Sequence, residues 1–217
     1  MDDAAFAARS RIVHTDQRSA AAESFREAGT KLLSRFGRTP QAVVVTGTQR
    51  HSGKTTCASN LALVLAQTGR KVLLVDANEE NPSLQRVFPG GSGKPGMSEV
   101  MFDQSMLAEA LQATSIPALS VLHWSASAGV TDDYNAASLE KLCGELRRRF
   151  DWVVFDSGAM QLTLTRRLLA AVGKALCVSG SGEDAQTATA QIELCGAVNL
   201  GLVENTYSVL SGVTANG

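Results

Sequence analysis

The stretch of sequence that decides the fold runs from residue 43 to residue 56 and reads VVVTGTQRHSGKTT. Its first part is a short valine-rich run, which is typical of a strand buried on both faces of a parallel sheet. Its second part contains Gly53-Lys54-Thr55-Thr56, and an apolar run with helical spacing follows at once. A turn between a strand and a helix N-terminus directs backbone N–H groups at an anion, and the helix dipole adds to the attraction. The pattern therefore predicts a phosphate-binding loop.

The residue types in this loop suit a nucleotide with its metal ion. Gly53 lets the backbone approach the phosphates, Lys54 places a cation on the β and γ phosphates, and the Thr55 hydroxyl can bind Mg²⁺. The standard pattern has a glycine six residues before the lysine, where this chain has Thr48. We predict that ATP and Mg²⁺ bind the following loop residues: Gln49, Arg50, His51, Ser52, Gly53, Lys54, Thr55 and Thr56.

A second Gly-Lys pair, Gly93-Lys94, lacks this context. No predicted strand precedes it, and Pro95 cannot donate an N–H group to a phosphate. We expect a surface loop there.

Outside the phosphate loop, short apolar runs alternate with amphipathic segments. Strands are predicted at 42–46, 71–76, 119–123, 152–156, 174–179 and 200–204, and helices at 19–36, 54–68, 137–150, 163–172 and 184–196. This alternation predicts an α/β fold, a P-loop NTPase with a mostly parallel central sheet and helices on both faces. Residues 1–18 have no clear periodicity, so we expect a flexible N-terminal arm before a single P-loop domain at 19–217.

The composition limits the classes of function. The chain has 217 residues, 44% of them hydrophobic, and a net charge of -1. A general nucleic-acid binder needs a basic excess to replace condensed counterions, so no nucleic-acid partner is expected. The N-terminus lacks the pattern of a signal peptide, and no apolar run approaches the roughly 18 residues of a membrane helix. We therefore expect a cytoplasmic chain without direct membrane insertion, which associates with a membrane only through a partner.

Two of the predicted strands end in an aspartate, Asp76 and Asp156. Ligands of open α/β sheets bind at the carboxyl ends of the strands, so both carboxylates should face the phosphate loop. There they can orient a magnesium ion and its waters, and one can serve as a base. We predict Thr55, Asp76 and Asp156 as the metal site, and Lys54, Asp76 and Asp156 as the catalytic residues.

Four segments of the chain, 43–88, 95–100, 152–158 and 201–205, resemble one known family. It is the catalytic domain of the bacterial tyrosine kinases (BY-kinases) of the Wzc and CapB type, within the MinD/ParA-like P-loop ATPases. The resemblance implies that Asp76 belongs to the second acidic motif, that Asp156 orients magnesium, and that Asn205 contacts the adenine edge of ATP or ADP. It also implies a role in capsule or exopolysaccharide biosynthesis and export, with a membrane-embedded polysaccharide co-polymerase or activator as partner.

The chain departs from the family pattern at several positions. Family members usually carry Asp-x-Asp after the second strand, where the second aspartate helps to deprotonate the tyrosine, and here that residue is Asn78. The family arginine two residues further on is Glu80, and the usual Pro-Gly of the phosphate loop is Arg50-His51. The C-terminal tyrosine cluster is missing. The E-x-x-R-x-x-R oligomerisation motif lacks one arginine, which leaves homo-oligomer formation open.

Three functions remain open on the sequence. The first is a Mg-ATP-binding ATPase that resembles the tyrosine-kinase component of polysaccharide export, with weak or no tyrosine kinase activity. The second is a catalytically inactive pseudokinase that acts as a regulatory subunit. The third is a MinD/ParA-like positioning ATPase, although those relatives often have a lysine where this chain has Gln49.

Overall fold

A seven-stranded sheet forms the centre of the structure, a computed structural model that describes residues 2–125, 135–179 and 185–204. In these ranges the strands are β1 (Gln41–Gly47), β2 (Val72–Ala77), β3 (Gln112–Ala113), β4 (Leu119–Leu122), β5 (Trp152–Ala159), β6 (Lys174–Ser179) and β7 (Val198–Glu204). Their order across the sheet is β3-β4-β2-β5-β1-β6-β7. Every neighbouring pair is parallel except β3 and β4. The predicted P-loop α/β fold is confirmed.

The helices of the described ranges cover both faces of this sheet. They are α1 (Asp3–Arg9), α2 (Ile12–Thr15), α3 (Ala20–Phe36), α4 (Lys54–Gln67), α5 (Leu84–Val87), α6 (Met97–Phe102), α7 (Leu107–Ala110), α8 (Ala136–Arg149), α9 (Thr163–Val172) and α10 (Ala185–Leu194), with a 3₁₀ turn at Gln104–Met106. None of them combines the length and the apolar character that crossing a membrane requires.

The burial of β1 explains its valine run. All seven of its residues are buried. Val43 and Val45 pack in the core that α3 and α4 cover, whereas Ala42 and Val44 pack in the core that α8 and α9 cover. Successive side chains of a strand point to opposite faces, so a strand covered on both sides has apolar residues throughout.

The starts of α3 and α4 have different causes. Ser19 caps α3 by accepting a hydrogen bond from Ala22 N at 3.2 Å. Gly53 precedes α4 in a left-handed conformation, with φ 97°, and no side chain caps this helix. No side chain therefore occupies the N–H groups at the start of α4, the arrangement that a phosphate-binding loop requires.

The predicted loose arm at residues 1–18 is wrong for Asp3–Thr15, which form α1 and α2. Val13 is fully buried, and its N–H donates to Asn60 Oδ1 of α4 at 3.1 Å. The Asn60 amide in turn donates to Arg9 O at 3.1 Å. These helices have only four and seven residues, so tertiary contacts rather than helical periodicity hold them in place.

The connection between β2 and β4 holds more structure than the sequence predicted. It contains α5, α6, α7, the 3₁₀ turn and the antiparallel edge strand β3. Each of these elements has six residues or fewer. Segments this short do not reveal a period in the sequence.

Candidate functional site

The phosphate loop occupies the predicted place between β1 and α4. At its start, Met160 N donates to Gly47 O at 3.0 Å. A Cβ atom at Gly47 would lie 2.3 Å from the carbonyl oxygen of Val178, so only glycine fits here. Although the standard pattern places its glycine one residue later, the glycine at 47 is required for the close approach of β1 to β6.

Lys54 lies almost entirely inside the loop, with 7% of its surface exposed. Its ammonium group donates to Gln49 O at 2.6 Å. The Ser52 hydroxyl lies 3.5 Å from the same nitrogen. The lysine therefore places its charge in the concave side of the loop, against the peptide that joins Gln49 to Arg50.

Thr55 contacts a residue that the sequence reasoning missed. Its Oγ1 lies 2.9 Å from Ser83 Oγ, and both residues are buried. Ser83 stands at the N-cap position of α5, yet its side chain makes no capping hydrogen bond. A serine directly before a helix predicts a cap, so the sequence pattern would have suggested a different role for it.

Asp76, at the end of β2, is surrounded by backbone donors. One carboxylate oxygen accepts from Asn78 N at 3.2 Å, and the other accepts from Ser83 N and Leu84 N, each at 3.0 Å. Burial raises the pKa of Asp76 to about 6, while these backbone hydrogen bonds act in the opposite direction. Asp76 thus holds the turn after β2 and the first residue of α5 in position.

Asp156, in the C-terminal half of β5, is aligned with Asp76 in the parallel register of β2 and β5. It is fully buried, and among the residues that the structure describes neither of its carboxylate oxygens has a hydrogen-bond donor. Burial raises its pKa well above the usual range, and the charge of Asp76 raises it further. The Thr55 hydroxyl and the Lys54 ammonium lie near enough to oppose this rise, although Thr55 makes its hydrogen bond with Ser83.

These residues fit a magnesium ion. A buried carboxylate without partners is costly unless it is reserved for a ligand. Magnesium prefers oxygen ligands and keeps several waters, so one or two carboxylates and the phosphates of a substrate suffice to hold it. Within the described ranges, no three His, Cys, Asp or Glu side chains form a group that could hold a metal. The set of Asp156, Thr55 and Asp76 therefore suits an ion that needs few protein ligands.

The remaining loop residues are placed as follows. Arg50 points outward and pairs with Glu80 Oε2 at 2.7 Å. His51 has φ 61°, a left-handed conformation that is uncommon outside glycine. The Thr56 hydroxyl lies 3.2 Å from Ser10 Oγ of the N-terminal segment. The predicted adenine contact, Asn205, lies outside the described residues.

Comparison with known proteins agrees with this fold. The family model described as AAA domain matches residues 42–182, well over half of the chain. Tyrosine-protein kinase YwqD of Bacillus subtilis (strain 168) is 29% identical over 204 residues, covering 91% of this chain and 86% of YwqD.

Solved structures give the same result. The chimerical protein CapA2B2 matches with a TM-score of 0.81 and 25% identity, covering 91% of this chain and 90% of CapA2B2. The septum site-determining protein MinD from Pyrococcus horikoshii OT3, solved with Mg-ADP, matches with a TM-score of 0.67. It is 19% identical and covers 78% of this chain and 71% of MinD, a likeness that shows the fold alone. The chain therefore belongs to the AAA domain family of P-loop proteins, in which it is similar to the bacterial tyrosine-protein kinases.

Proposed function

We propose that the protein binds Mg-ATP in the loop between β1 and α4 and hydrolyses it slowly. The observation that carries this proposal is Asp156, a fully buried carboxylate without a hydrogen-bond partner, aligned with Asp76 beside Lys54 and Thr55. A fold that gains nothing structural from such a group retains it for a ligand that supplies positive charge.

The chain's own groups have separate tasks in this proposal. Backbone N–H groups of the loop and of the start of α4 bind the phosphates. Lys54, which donates to Gln49 O in this structure, exchanges that carbonyl for phosphate oxygens. The Thr55 hydroxyl exchanges Ser83 for the metal, and the Asp156 and Asp76 carboxylates orient the metal and its waters. A bound magnesium ion would supply neutralisation of the phosphate charge.

The acceptor of the phosphoryl group is water in this proposal, with weak or no transfer to tyrosine. Asn78 stands at the position where the kinases usually have their second aspartate. Its Oδ1 lies close to Gly158, since a Cβ atom added to Gly158 would be 3.1 Å from it. An amide cannot take up a proton as a carboxylate does. Asp76, whose pKa burial raises to about 6, is the base in this proposal, although three backbone donors occupy it.

The relatives named CpsD and CapB motivate the biological setting. We propose a cytoplasmic chain in capsule or exopolysaccharide biosynthesis that associates with a membrane through a membrane-embedded polysaccharide co-polymerase or activator. Assembly with further copies of the chain belongs to the same proposal.

The same Asn78 favours a second candidate, a pseudokinase that binds the nucleotide without turnover and regulates a partner. A MinD/ParA-like positioning ATPase ranks third, because this chain has Gln49 where those relatives often have a lysine. In the structure Gln49 contributes its backbone carbonyl, which accepts a hydrogen bond from Lys54.

Calorimetric titration of the protein with ATP, with magnesium and with EDTA, tests the proposal. We expect magnesium-dependent binding that Lys54→Met abolishes. Lys94→Met is the matched control, because Lys94 also follows a glycine but lies exposed in a turn. Binding that is equal in both variants would contradict the proposed site.

Phosphate release separates the two leading candidates. Turnover that disappears in Asp156→Asn supports the ATPase, and binding without turnover supports the pseudokinase. Incubation with ATP followed by phosphotyrosine detection, with Tyr134 and Tyr207 replaced by Phe in the control, measures the remaining kinase activity.

A further inference from the structure

The phosphate loop carries a second cation, Arg50, whose surroundings differ from those of Lys54. The Lys54 side chain is buried, whereas 71% of the Arg50 side chain is exposed. Arg50 pairs with the carboxylate of Glu80 at 2.7 Å, across the gap between the loop and the turn after β2. Two of the residues at which the chain departs from the kinase pattern in charge thus meet in one ion pair.

The Glu80 side of this pair is the fixed one. Glu80 lies in a turn that Asn81 N closes by donating to Asn78 O at 3.3 Å. Asp76 holds both ends of the same turn through Asn78 N and Ser83 N. Arg50, by contrast, has a long exposed side chain, and exposed ion pairs are weak and exchange readily. When a stronger anion arrives, Arg50 is the partner that moves.

The position of Lys54 indicates which anion Arg50 meets. The Lys54 ammonium lies 2.6 Å from Gln49 O, in the peptide that leads directly into Arg50. A loop lysine of this kind contacts the β and γ phosphates. Arg50 therefore begins beside the terminal phosphate, further out towards solvent than Lys54. A guanidinium can bind two phosphate oxygens at once, and a terminal phosphate carries more negative charge than the carboxylate of Glu80.

Without Arg50, Glu80 would oppose the nucleotide. A carboxylate at the mouth of an anion site repels a triphosphate, and Arg50 neutralises it in the free protein. We propose that Arg50 exchanges Glu80 for the terminal phosphate of a nucleoside triphosphate, so that the pair Arg50–Glu80 distinguishes a triphosphate from a diphosphate. A diphosphate has no γ phosphate, so Arg50 stays paired with Glu80, and this favours release of the product. This inference rests on the proposed binding of Mg-ATP.

Titrations with Mg-ATP and Mg-ADP on four proteins test the exchange: the wild type, Arg50→Gln, Glu80→Gln and the double variant. We expect Arg50→Gln to weaken Mg-ATP about tenfold and to change Mg-ADP less than twofold. Glu80→Gln frees Arg50 and should strengthen Mg-ATP about threefold. The double variant should bind Mg-ATP more tightly than Arg50→Gln but more weakly than Glu80→Gln, because it lacks both the cation of Arg50 and the repulsion from the Glu80 carboxylate.

Arg149→Gln is the control, since Arg149 also forms an exposed ion pair, with Glu145 at 2.6 Å, but on α8. It should leave both affinities unchanged. Arg50→Gln that weakens both nucleotides equally, or neither, would overturn the inference while leaving the proposed function intact. The same holds if Glu80→Gln weakens Mg-ATP, because the pair would then support the loop only as a scaffold. A wild-type protein that binds no Mg-ATP would overturn both.

Discussion

The C-terminal halves of β2 and β5 lie side by side in register and each carries an aspartate, yet the two carboxylates differ in their hydrogen bonds. Asp76 accepts hydrogen bonds from three backbone N–H groups. Asp156 accepts none from the described part of the chain, although it is at least as deeply buried. The two carboxylates therefore share a position in the sheet, and their different hydrogen bonds give them different roles.

The difference teaches which residue the fold needs and which one the ligand needs. The three donors around Asp76 come from the turn after β2 and from the start of α5, so this carboxylate organises the backbone that presents Ser83 to Thr55. Asp156 organises nothing that the structure describes. A buried, unpartnered carboxylate lowers the stability of the free protein. The same feature makes Asp156 a strong ligand for a cation.

The largest expected effect is a difference in the free energy of unfolding between the variants that remove the Asp76 carboxylate and the Asp156 carboxylate. Asp76→Ala leaves three N–H groups without an acceptor, two of them buried, and each buried one costs about 1–3 kcal/mol, so we expect a loss of about 4 kcal/mol in the free energy of unfolding. Asp156→Ala removes an unpartnered charge and should stay within about 1 kcal/mol of the wild type or exceed it. Urea denaturation in EDTA measures both. Equal losses in the two variants would show that Asp156 also supports the fold.

The second effect is the pH dependence of stability in the metal-free protein. The pKa values of both carboxylates lie above the ordinary 3.8, so the folded chain binds more protons than the unfolded chain between about pH 4 and the folded-state values. Their contribution to stability is thus present at low pH and is lost as the pH rises through this window. For Asp76, a rise from 3.8 to about 6 corresponds to at most about 3 kcal/mol.

Asp156→Asn isolates the share of Asp156 in this slope. We expect the variant to gain stability relative to the wild type as the pH rises over a range of about three pH units, from about 4.5 to about 7.5. Urea denaturation at each pH, in EDTA, measures the difference. A difference that does not change with pH would mean that the Asp156 carboxylate titrates alike in the folded and unfolded chains.

The smallest effect concerns Ser83, which depends on Asp76 for its position. Ser83→Ala removes the partner of the Thr55 hydroxyl and should lower the free energy of unfolding by about 1 kcal/mol. Because the hydroxyl of Thr55 is then free for the metal, Mg-ATP affinity should remain within about threefold of the wild type. Thermal denaturation and calorimetric titration test the two parts. A large loss of affinity would instead place Ser83 among the ligand-binding groups.

Much of the fold followed from local patterns. The strand and helix at 42–46 and 54–68 were predicted within one or two residues, because continuous burial and a glycine before a helix leave a direct record in the sequence. The strands at 119–123 and 174–179 followed for the same reason. The short N-terminal helices could not be predicted in this way. Ser10 and Val13 are buried through contacts with α4, and helices this short leave no hydrophobic period in the sequence.

The candidate site was predictable as a set of residue types and not as a set of roles. Lys54, Thr55, Asp76 and Asp156 could be named because each follows a strand or opens a helix at the ligand-binding edge of the sheet. Ser83 could not, because its contact with Thr55 spans 28 residues of chain. Likewise, the ion pair of Arg50 and Glu80 joins two loops that no local pattern connects.

The sequence by itself determined the architecture and the place of the site, because strand burial, helix starts and strand-end carboxylates are local properties of a few neighbouring residues. Only the tertiary structure decided that Asp76 is satisfied and Asp156 is not. The reason is physical: hydrogen-bond satisfaction in a low-dielectric interior depends on which distant donors the folded chain brings within about 3 Å, and the identity of a residue carries no information about them.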